Sequence, residues 1–321
     1  NFLRLLIRPK KKKLKLGFNI MNLYTHISAN KRSSWLLIII NGVLLLALGW
    51  VLSQAANDYI WFYIALIYSL VSSLVGYLWG DKVVLMTSKA KLVDRTAAPE
   101  LYRLVENLCI TAGLPTPKIY IINEAAPNAF ATGRDPKHAA IAVTSGLLAK
   151  LDKAELEGVI AHELSHVGNH DILLATLVSV VVGAVALLGN WFARWSFWGG
   201  HRRSNNDGAG QISVIMSIIA IVLAILAPIV AQLIQLAISR RREFLADADG
   251  VLLTRYPEGL ISALKKISAD PQPLSVANEA TAHLYFASPF DNKKGTPLLA
   301  KMFMTHPPVE ERIAALEKIS I

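Results

Sequence analysis

Hydrophobic residues are concentrated in four long runs, and the chain between them is polar. The runs cover residues 35–53, 59–79, 172–192 and 212–238. A helix needs about 20 apolar residues to cross the hydrocarbon core of a bilayer, so each run predicts a transmembrane helix. Aromatic residues lie near the ends of the runs, as expected at a membrane surface: Trp35, Trp50, Tyr59, Trp61, Trp79 and Trp191. Because only residues 54–58 separate the first two runs, these two are predicted to form a helical hairpin.

The polar stretches carry the patterns of a small soluble domain. One helix and three short strands are predicted, at Pro99–Ala112, Lys118–Ile122, 128–132 and Ala139–Thr144. Asp152 is followed by Glu155 with the spacing of a capping box. A further helix is therefore expected to begin there and to run through residues 162–166.

These patterns together predict an α+β integral membrane protein with four transmembrane helices. The soluble stretches are long enough together for one compact domain that the third and fourth spans interrupt. The expected division is a basic segment 1–34, a transmembrane hairpin 35–80, a first domain part 81–171, a second hairpin 172–238 and a second domain part 239–321. Residues 1–20 precede Met21 and are expected to be an extension outside the fold.

Composition supports a membrane protein and argues against a nucleic-acid-binding protein. Of the residues 53% are hydrophobic and only 17% are charged, whereas soluble domains have about 25% charged residues. The net charge is +10, but the basic residues flank the apolar runs and form no patch interleaved with aromatic residues. The expected partner of this charge is therefore the lipid bilayer, and no nucleic acid.

The basic residues also predict an orientation. Nine lysines and arginines precede the first run, and others follow the second and fourth runs. By the positive-inside rule these three flanks are cytoplasmic. Arg194, Arg202 and Arg203 between the third and fourth runs argue weakly the other way.

The sequence AHELSH contains a candidate metal site. His162 and His166 are four residues apart, so in a helix they lie on one face, about one turn from each other. Two imidazoles in this arrangement suit Zn²⁺, and Glu163 beside them can take a proton from an attacking water. The alternative is a salt-bridged set of side chains on a helix surface.

Two residues compete to be the third ligand of such an ion. His170 continues the same helix face, but consecutive turns of one straight helix do not easily converge on one tetrahedral ion. Glu243 is the better candidate, with Asp247 four residues later placed to orient a ligand imidazole. The alternative for this segment is a charged helix end whose arginines reach lipid head groups.

The spacing of the third and fourth runs favours Glu243. His166 precedes the third run by six residues, and Glu243 follows the fourth by five. On straight helices both side chains would lie roughly 7–9 Å beyond the hydrocarbon edge. An antiparallel pair of spans would thus deliver Glu243 to the height of the two histidines.

Four motifs in order give the chain a resemblance to a known family. PNAFATGRDPKHAAIAVTSGLL, AHELSH, SRRREFLADADG and THPPVEERIAAL occur along most of the chain from Met21. In these the chain resembles the HtpX family of bacterial membrane zinc metalloproteases, which is related to the CAAX prenyl proteases. The resemblance implies a multi-pass endopeptidase of the inner membrane with a zincin-like domain and a cytoplasmic active site. Its implied role is quality control of misfolded membrane proteins under stress, beside other membrane quality-control proteases.

The resemblance also implies roles for individual residues. It assigns one Zn²⁺ per chain to His162, His166 and Glu243, and the general base to Glu163. The further residues it implies are Asp247 beside a ligand, His306 as a catalytic group with Arg312 packed close by, and Asn128, Ala129, Phe130 and Ala131 as the strand that pairs with a peptide substrate. From sequence alone, a histidine such as His306 before Pro307 is more often a residue of a helix entrance. The chain departs from the family pattern at His170, where a glycine is common.

Two other functions remain open at this stage. A CAAX-type processing protease would use the same chemistry on prenylated proteins, although four spans are fewer than we expect for enclosing a lipidated peptide. A non-catalytic membrane scaffold could keep the fold, but it would have no need of Glu163.

Overall fold

The computed structural model describes residues 12–199, 222, 239–278, 280–289 and 307–319. Within them the helices are α1 (Lys12–Ala56), α2 (Ile60–Thr87), α3 (Pro99–Ala112), α4 (Ser145–Lys150), α5 (Lys153–Gly168), α6 (Asp171–Gly199), α7 (Arg240–Thr254), α8 (Pro257–Ser268) and α9 (Val309–Leu316). The strands are β1 (Lys91–Leu92), β2 (Lys118–Ile122), β3 (Ala129–Gly133) and β4 (Ala139–Thr144).

The first two helices form the predicted hairpin. Ile27–Gln54 of α1 and Ile60–Thr87 of α2 are each long and apolar enough to cross a membrane. Aromatic pairs join them near both ends, with Trp35 stacked on Tyr77 at 5.7 Å between ring centroids. Both helices exceed their predicted bounds, because α1 already begins at Lys12 and α2 continues past residue 80 to Thr87.

Helix α6 starts at the predicted third run and packs against the hairpin. Leu37 of α1 is buried in one cluster with Leu173, Leu174 and Leu177 of α6. In the part of the chain that the structure describes, α1 and α2 qualify as spans by themselves, and α6 qualifies together with α5 as a pair bent by 85°. The fourth run lies outside the described residues except Val222, so a fourth span stays a prediction.

A four-stranded sheet forms the base of the soluble domain. Its order is β1-β2-β4-β3, with β2 and β4 parallel and the two outer strands antiparallel to their neighbours. The bounds of α3, β2 and β4 agree with the predictions from the sequence. Strand β3 begins one residue later than predicted and ends at Gly133.

One hydrophobic core joins the residues before and after the third and fourth runs. Val159 and Ile160 of α5 share it with Leu260 and Leu264 of α8, and the sheet contributes Ile141. Since apolar burial is the main source of folding free energy, the two sequence-distant parts stabilise each other as one unit.

The start of α5 is fixed by the predicted capping box. The Asp152 carboxylate accepts a hydrogen bond from the Glu155 backbone N–H at 3.0 Å, and the Glu155 carboxylate accepts one from the Asp152 backbone N–H at 2.9 Å. Lys266 and Ser262 of α8 also donate to Glu155, at 2.7 and 2.5 Å. These bonds tie the entry of α5 to the second part of the domain.

The end of α5 differs from the expectation of a straight helix. The helix stops at Gly168, and His170 has φ +57°, in the left-handed region. The following helix leaves at 85° to α5. The height of His166 above the membrane therefore cannot be counted at 1.5 Å per residue from the third run. The prediction that the helix through His166 continues straight into the third span is wrong.

Candidate metal centre

Three side chains from two helices converge on one point. His162 Nε2 and His166 Nε2 are 3.2 Å apart. Glu243 places Oε2 at 3.8 Å from His162 Nε2 and Oε1 at 3.6 Å from His166 Nε2. Ligand bonds of about 2.0–2.1 Å to a tetrahedral ion put neighbouring ligand atoms about 3.3 Å apart. The donor set therefore fits a metal ion, and among the described residues these three are the group able to hold one.

Close packing of α7 on α5 brings the carboxylate to the histidines. Glu243 lies in the first turn of α7 and is buried. Gly250, two turns further on, faces the backbone of α5, where an added Cβ would lie 3.1 Å from the amide nitrogen of His162. A side chain larger than hydrogen at position 250 would push the two helices apart, so the glycine permits the approach.

His162 is oriented by an ion pair on its other side. Its Nδ1 donates to the Asp247 carboxylate at 2.9 Å. Arg312 binds both oxygens of that carboxylate, at 2.9 and 2.7 Å, and is itself fully buried. Burial alone would raise the pKa of Asp247, but the Arg312 guanidinium and the hydrogen bonds outweigh it and lower this pKa to about 2. The carboxylate stays charged and fixes the imidazole with Nε2 toward the ion site.

His166 is oriented in the same way by a residue that the sequence analysis missed. Its Nδ1 lies 2.9 Å from Asp171 Oδ2, in the first turn of α6. The available signal was that Asp171 directly precedes an apolar run, since a charged side chain at the start of such a run needs a partner. The bend after α5 turns Asp171 back onto His166.

The protonation of the two imidazoles differs because their surroundings differ. Burial lowers the pKa of His162 to about 4. Burial would also lower the pKa of His166, but the hydrogen bond to Asp171 and the charge of Glu243 raise it to about 9. A metal ligand must be a neutral imidazole, so binding of a cation displaces this proton from His166.

Glu163 lies at the wall of the same site. It is buried, it accepts a hydrogen bond from the Ala131 backbone N–H, and burial raises its pKa to about 7. With the three convergent side chains it lines a cavity of about 40 Å³. This cavity has room for a small ion and for water. A carboxylate with this pKa suits proton transfer near neutral pH.

The predicted substrate strand is an edge strand, but its edge is covered. Strand β3 pairs with β4 on one side only. On its other side the Phe286 N–H donates to the Ala129 carbonyl at 2.8 Å. The side-chain amide of Asn128 exchanges two hydrogen bonds with the Ala287 backbone, at 3.0 and 3.2 Å. Phe130 lies on the face of the sheet opposite to that of Ala129 and Ala131. There its ring packs on Tyr285.

The remaining candidate residues from the sequence are Arg312, His306 and His170. Arg312 lies at the site, and its guanidinium carbon is 4.7 Å from the ring centroid of Phe286. His306 lies outside the described residues, and its expected catalytic role stays a prediction. His170 lies beyond the end of α5 and is no member of the metal-binding group.

Comparison with known proteins agrees with this geometry. Residues 95–320 match the model of peptidase family M48. A protease HtpX homolog of Tropheryma whipplei (strain Twist) is 42% identical over 299 residues, covering 92% of this chain and 98% of that protein. One from Thermococcus kodakarensis (strain ATCC BAA-918 / JCM 12380 / KOD1) is 44% identical over 292 residues, covering 90% and 95%.

Among solved structures the chain has a weak likeness to S. mikatae Ste24p. The TM-score is 0.47 and the identity 19%, covering 92% of this chain and 67% of that one. The family match covers residues 95–320, and the two curated relatives cover 92% and 90% of the chain. The chain therefore belongs to peptidase family M48, as a membrane metalloprotease of the HtpX kind.

Proposed function

We propose that this metalloprotease is a zinc endopeptidase, with the ion held by His162, His166 and Glu243. The observation that carries the proposal is the convergence of these three side chains at 3.2–3.8 Å from two helices that are far apart in sequence. Each histidine is held by a buried carboxylate on its other nitrogen. Two imidazoles and one carboxylate, with a position left for water, make up a catalytic zinc site.

The chemistry divides between the ion and Glu163. A zinc ion bound here would polarise the substrate carbonyl and lower the pKa of its bound water to about 7. Glu163 takes the proton from the water as the new C–O bond forms at the carbonyl carbon. It then gives this proton to the leaving nitrogen as the C–N bond breaks. His306 is the candidate to stabilise the charge on the carbonyl oxygen.

The substrate would bind as an extended strand along β3. Ala129 and Ala131 direct their backbone groups away from β4, toward Phe286 and toward Glu163. A peptide that replaces the segment Ala282–Ala287 at this edge would bring a carbonyl to the ion site, and recognition of backbone suits many unrelated sequences. The Phe286 N–H already donates to the Ala129 carbonyl, so this segment must move before a substrate strand can pair with β3 at that position.

The expected substrates are misfolded or unfolded membrane proteins, cleaved on the cytoplasmic side of the bacterial inner membrane. Basic residues flank the hairpin on the side of the soluble domain, including Lys31 and Arg32 in α1 and Lys89 after α2. By the positive-inside rule this side is cytoplasmic. The site then meets chains that are exposed at the inner face of the bilayer, in quality control under stress.

Hydrolysis of an unfolded reporter by purified, zinc-loaded protein tests this function. Casein is expected to be cleaved, cleavage is expected to stop with a zinc chelator, and added Zn²⁺ should restore it. Glu163→Gln is expected to retain one zinc per chain and to lose about 10²–10⁴-fold in kcat, because only the base is removed. Activity within about tenfold of the parent would exclude Glu163 as the base.

A further inference from the structure

A polar side chain of the first membrane helix reaches the metal centre. Asn30 lies in α1 near the start of the span Ile27–Gln54, and it is buried. Its amide nitrogen donates to Asp171 Oδ1 at 2.5 Å and to the backbone carbonyl of Asn169 at 3.0 Å. An asparagine amide has two N–H donors, so both are used here.

The two acceptors of Asn30 lie next to the candidate ligand His166 or in the turn that follows its helix. Asp171 uses Oδ1 for Asn30 and Oδ2 for His166 Nδ1, at 2.9 Å. The Asn169 carbonyl belongs to the turn at which α5 gives way to α6. Asn30 therefore holds both the carboxylate that orients a ligand and the bend that carries this carboxylate.

Packing around Asn30 keeps the helix in place. Leu37, two turns along α1, is buried against α6, and Trp35 stacks on Tyr77 of α2. A buried amide without hydrogen-bond partners is destabilising. An asparagine at this position is therefore unfavourable unless its contacts to Asp171 and Asn169 are made.

We propose that Asn30 is a positioning residue of the metal centre, which acts through Asp171 to hold His166 in its ligand orientation. The inference rests on the proposed ligand set, in which His166 is one of three. It makes the first membrane helix a part of the metal site. Zinc affinity then depends on how α1 packs against α6.

The test is the zinc affinity of the full-length protein in lipid nanodiscs, measured by competition with a chromophoric chelator. Asn30→Leu keeps the branched shape of the side chain and removes both donors. Asp171→Ala is expected to weaken zinc binding by about 10–100-fold, as is usual for a residue that orients a ligand. Asn30→Leu is expected to weaken zinc binding less than Asp171→Ala does, by about threefold or more.

The double variant separates positioning from a general loss of stability. If Asn30 acts through Asp171, Asn30→Leu should have a much smaller effect on zinc affinity in the Asp171→Ala protein than in the parent, because only the Asn169 carbonyl is then left as an acceptor. A purely structural Asn30 would instead lower the thermal stability of the zinc-free protein, with equal effects on affinity in both backgrounds. Equal effects, or no effect of Asn30→Leu, would overturn the proposal.

Two further variants complete the design. Ser34→Ala is the matched control, because Ser34 is buried one turn along α1 and its hydroxyl donates only to the Asn30 backbone carbonyl, at 2.9 Å. Its zinc affinity should equal that of the parent. His166→Ala should lose tight zinc binding. Normal zinc binding in His166→Ala would refute the ligand set itself. Loss of zinc binding in His166→Ala together with normal binding in Asn30→Leu would refute the inference alone.

Discussion

His170 shows how one residue shapes the metal centre without touching it. Its backbone is left-handed, with φ +57°, between α5 and α6. A residue with a Cβ pays about 1–2 kcal/mol there, whereas glycine adopts the region freely.

Substitution of His170 tests this backbone conformation. His170→Gly is expected to keep the zinc content and the melting temperature of the parent, or to raise the latter. His170→Val should be about 1–2 kcal/mol less stable than His170→Gly, because a β-branched residue fits the left-handed region poorly. Thermal melts of the two purified variants measure the difference. Equal stabilities would mean that the bend does not require this conformation.

Individual metal ligands are easier to predict from the sequence than the residues that orient them. His162, His166 and Glu243 occur in patterns with helical spacing, and so does Asp247. Asn30 and Asp171 are 141 residues apart and form their bond only in the folded chain. Each is merely a polar residue near the end of an apolar run until the packing of α1 on α6 is known.

Among the elements, the segment Ala282–Ala287 has the most direct bearing on function. It lies along β3, where a substrate strand is expected, and Asn128 holds it through two hydrogen bonds to Ala287. A typical hydrogen bond contributes about 1 kcal/mol net. Burial of Tyr285 and Phe286, which are 0% and 1% exposed, adds to the free-energy cost of releasing the segment.

Hydrogen exchange measures how firmly this segment is held. Asn128→Ala removes both bonds and is expected to raise exchange at the amides of Phe286 and Ala287 by about fivefold or more. The KM for casein should fall if opening limits substrate entry. Asn107→Ala, on the exposed side of α3, is the matched control and should change neither. Unchanged exchange in Asn128→Ala would show that other contacts hold the segment closed.

The elements themselves were largely predictable, and the bend was not. Apolar runs with β-branched residues gave β2 and β4, and the Asp152–Glu155 pair gave the start of α5. The helical pattern of α5 continues without interruption toward His170, so periodicity alone predicts a straight helix. The break requires a single left-handed residue, and histidine is only a weak signal for that conformation.

For the whole molecule, the shared core constrains how the chain crosses the membrane. Helices α5 and α8 pack in one core although residues 172–238 separate the two domain parts. The chain must therefore return to the side it left, so this stretch crosses an even number of times. That agrees with the predicted second hairpin, whose latter half lies outside the described residues.

Reporter fusions test this arrangement and the predicted side. Fusions at Asn123 and Ile321 are expected to report the cytoplasm, because both belong to the side marked by the basic flanks. A fusion at Asn205, between the third and fourth runs, should report the periplasm. A periplasmic signal at Asn123 would contradict the orientation, and a cytoplasmic signal at Asn205 would contradict the second hairpin.

We expect one zinc ion to join the two parts of the domain, with Glu243 as its third ligand. Zinc analysis of purified Glu243→Ala, His170→Ala and Asp247→Asn tests it most directly. Glu243→Ala should lose tightly bound zinc, because two imidazoles leave the ion under-coordinated. Asp247→Asn should bind about 10–100-fold more weakly, and His170→Ala should bind like the parent. Loss of zinc from His170→Ala with full zinc in Glu243→Ala would contradict the account.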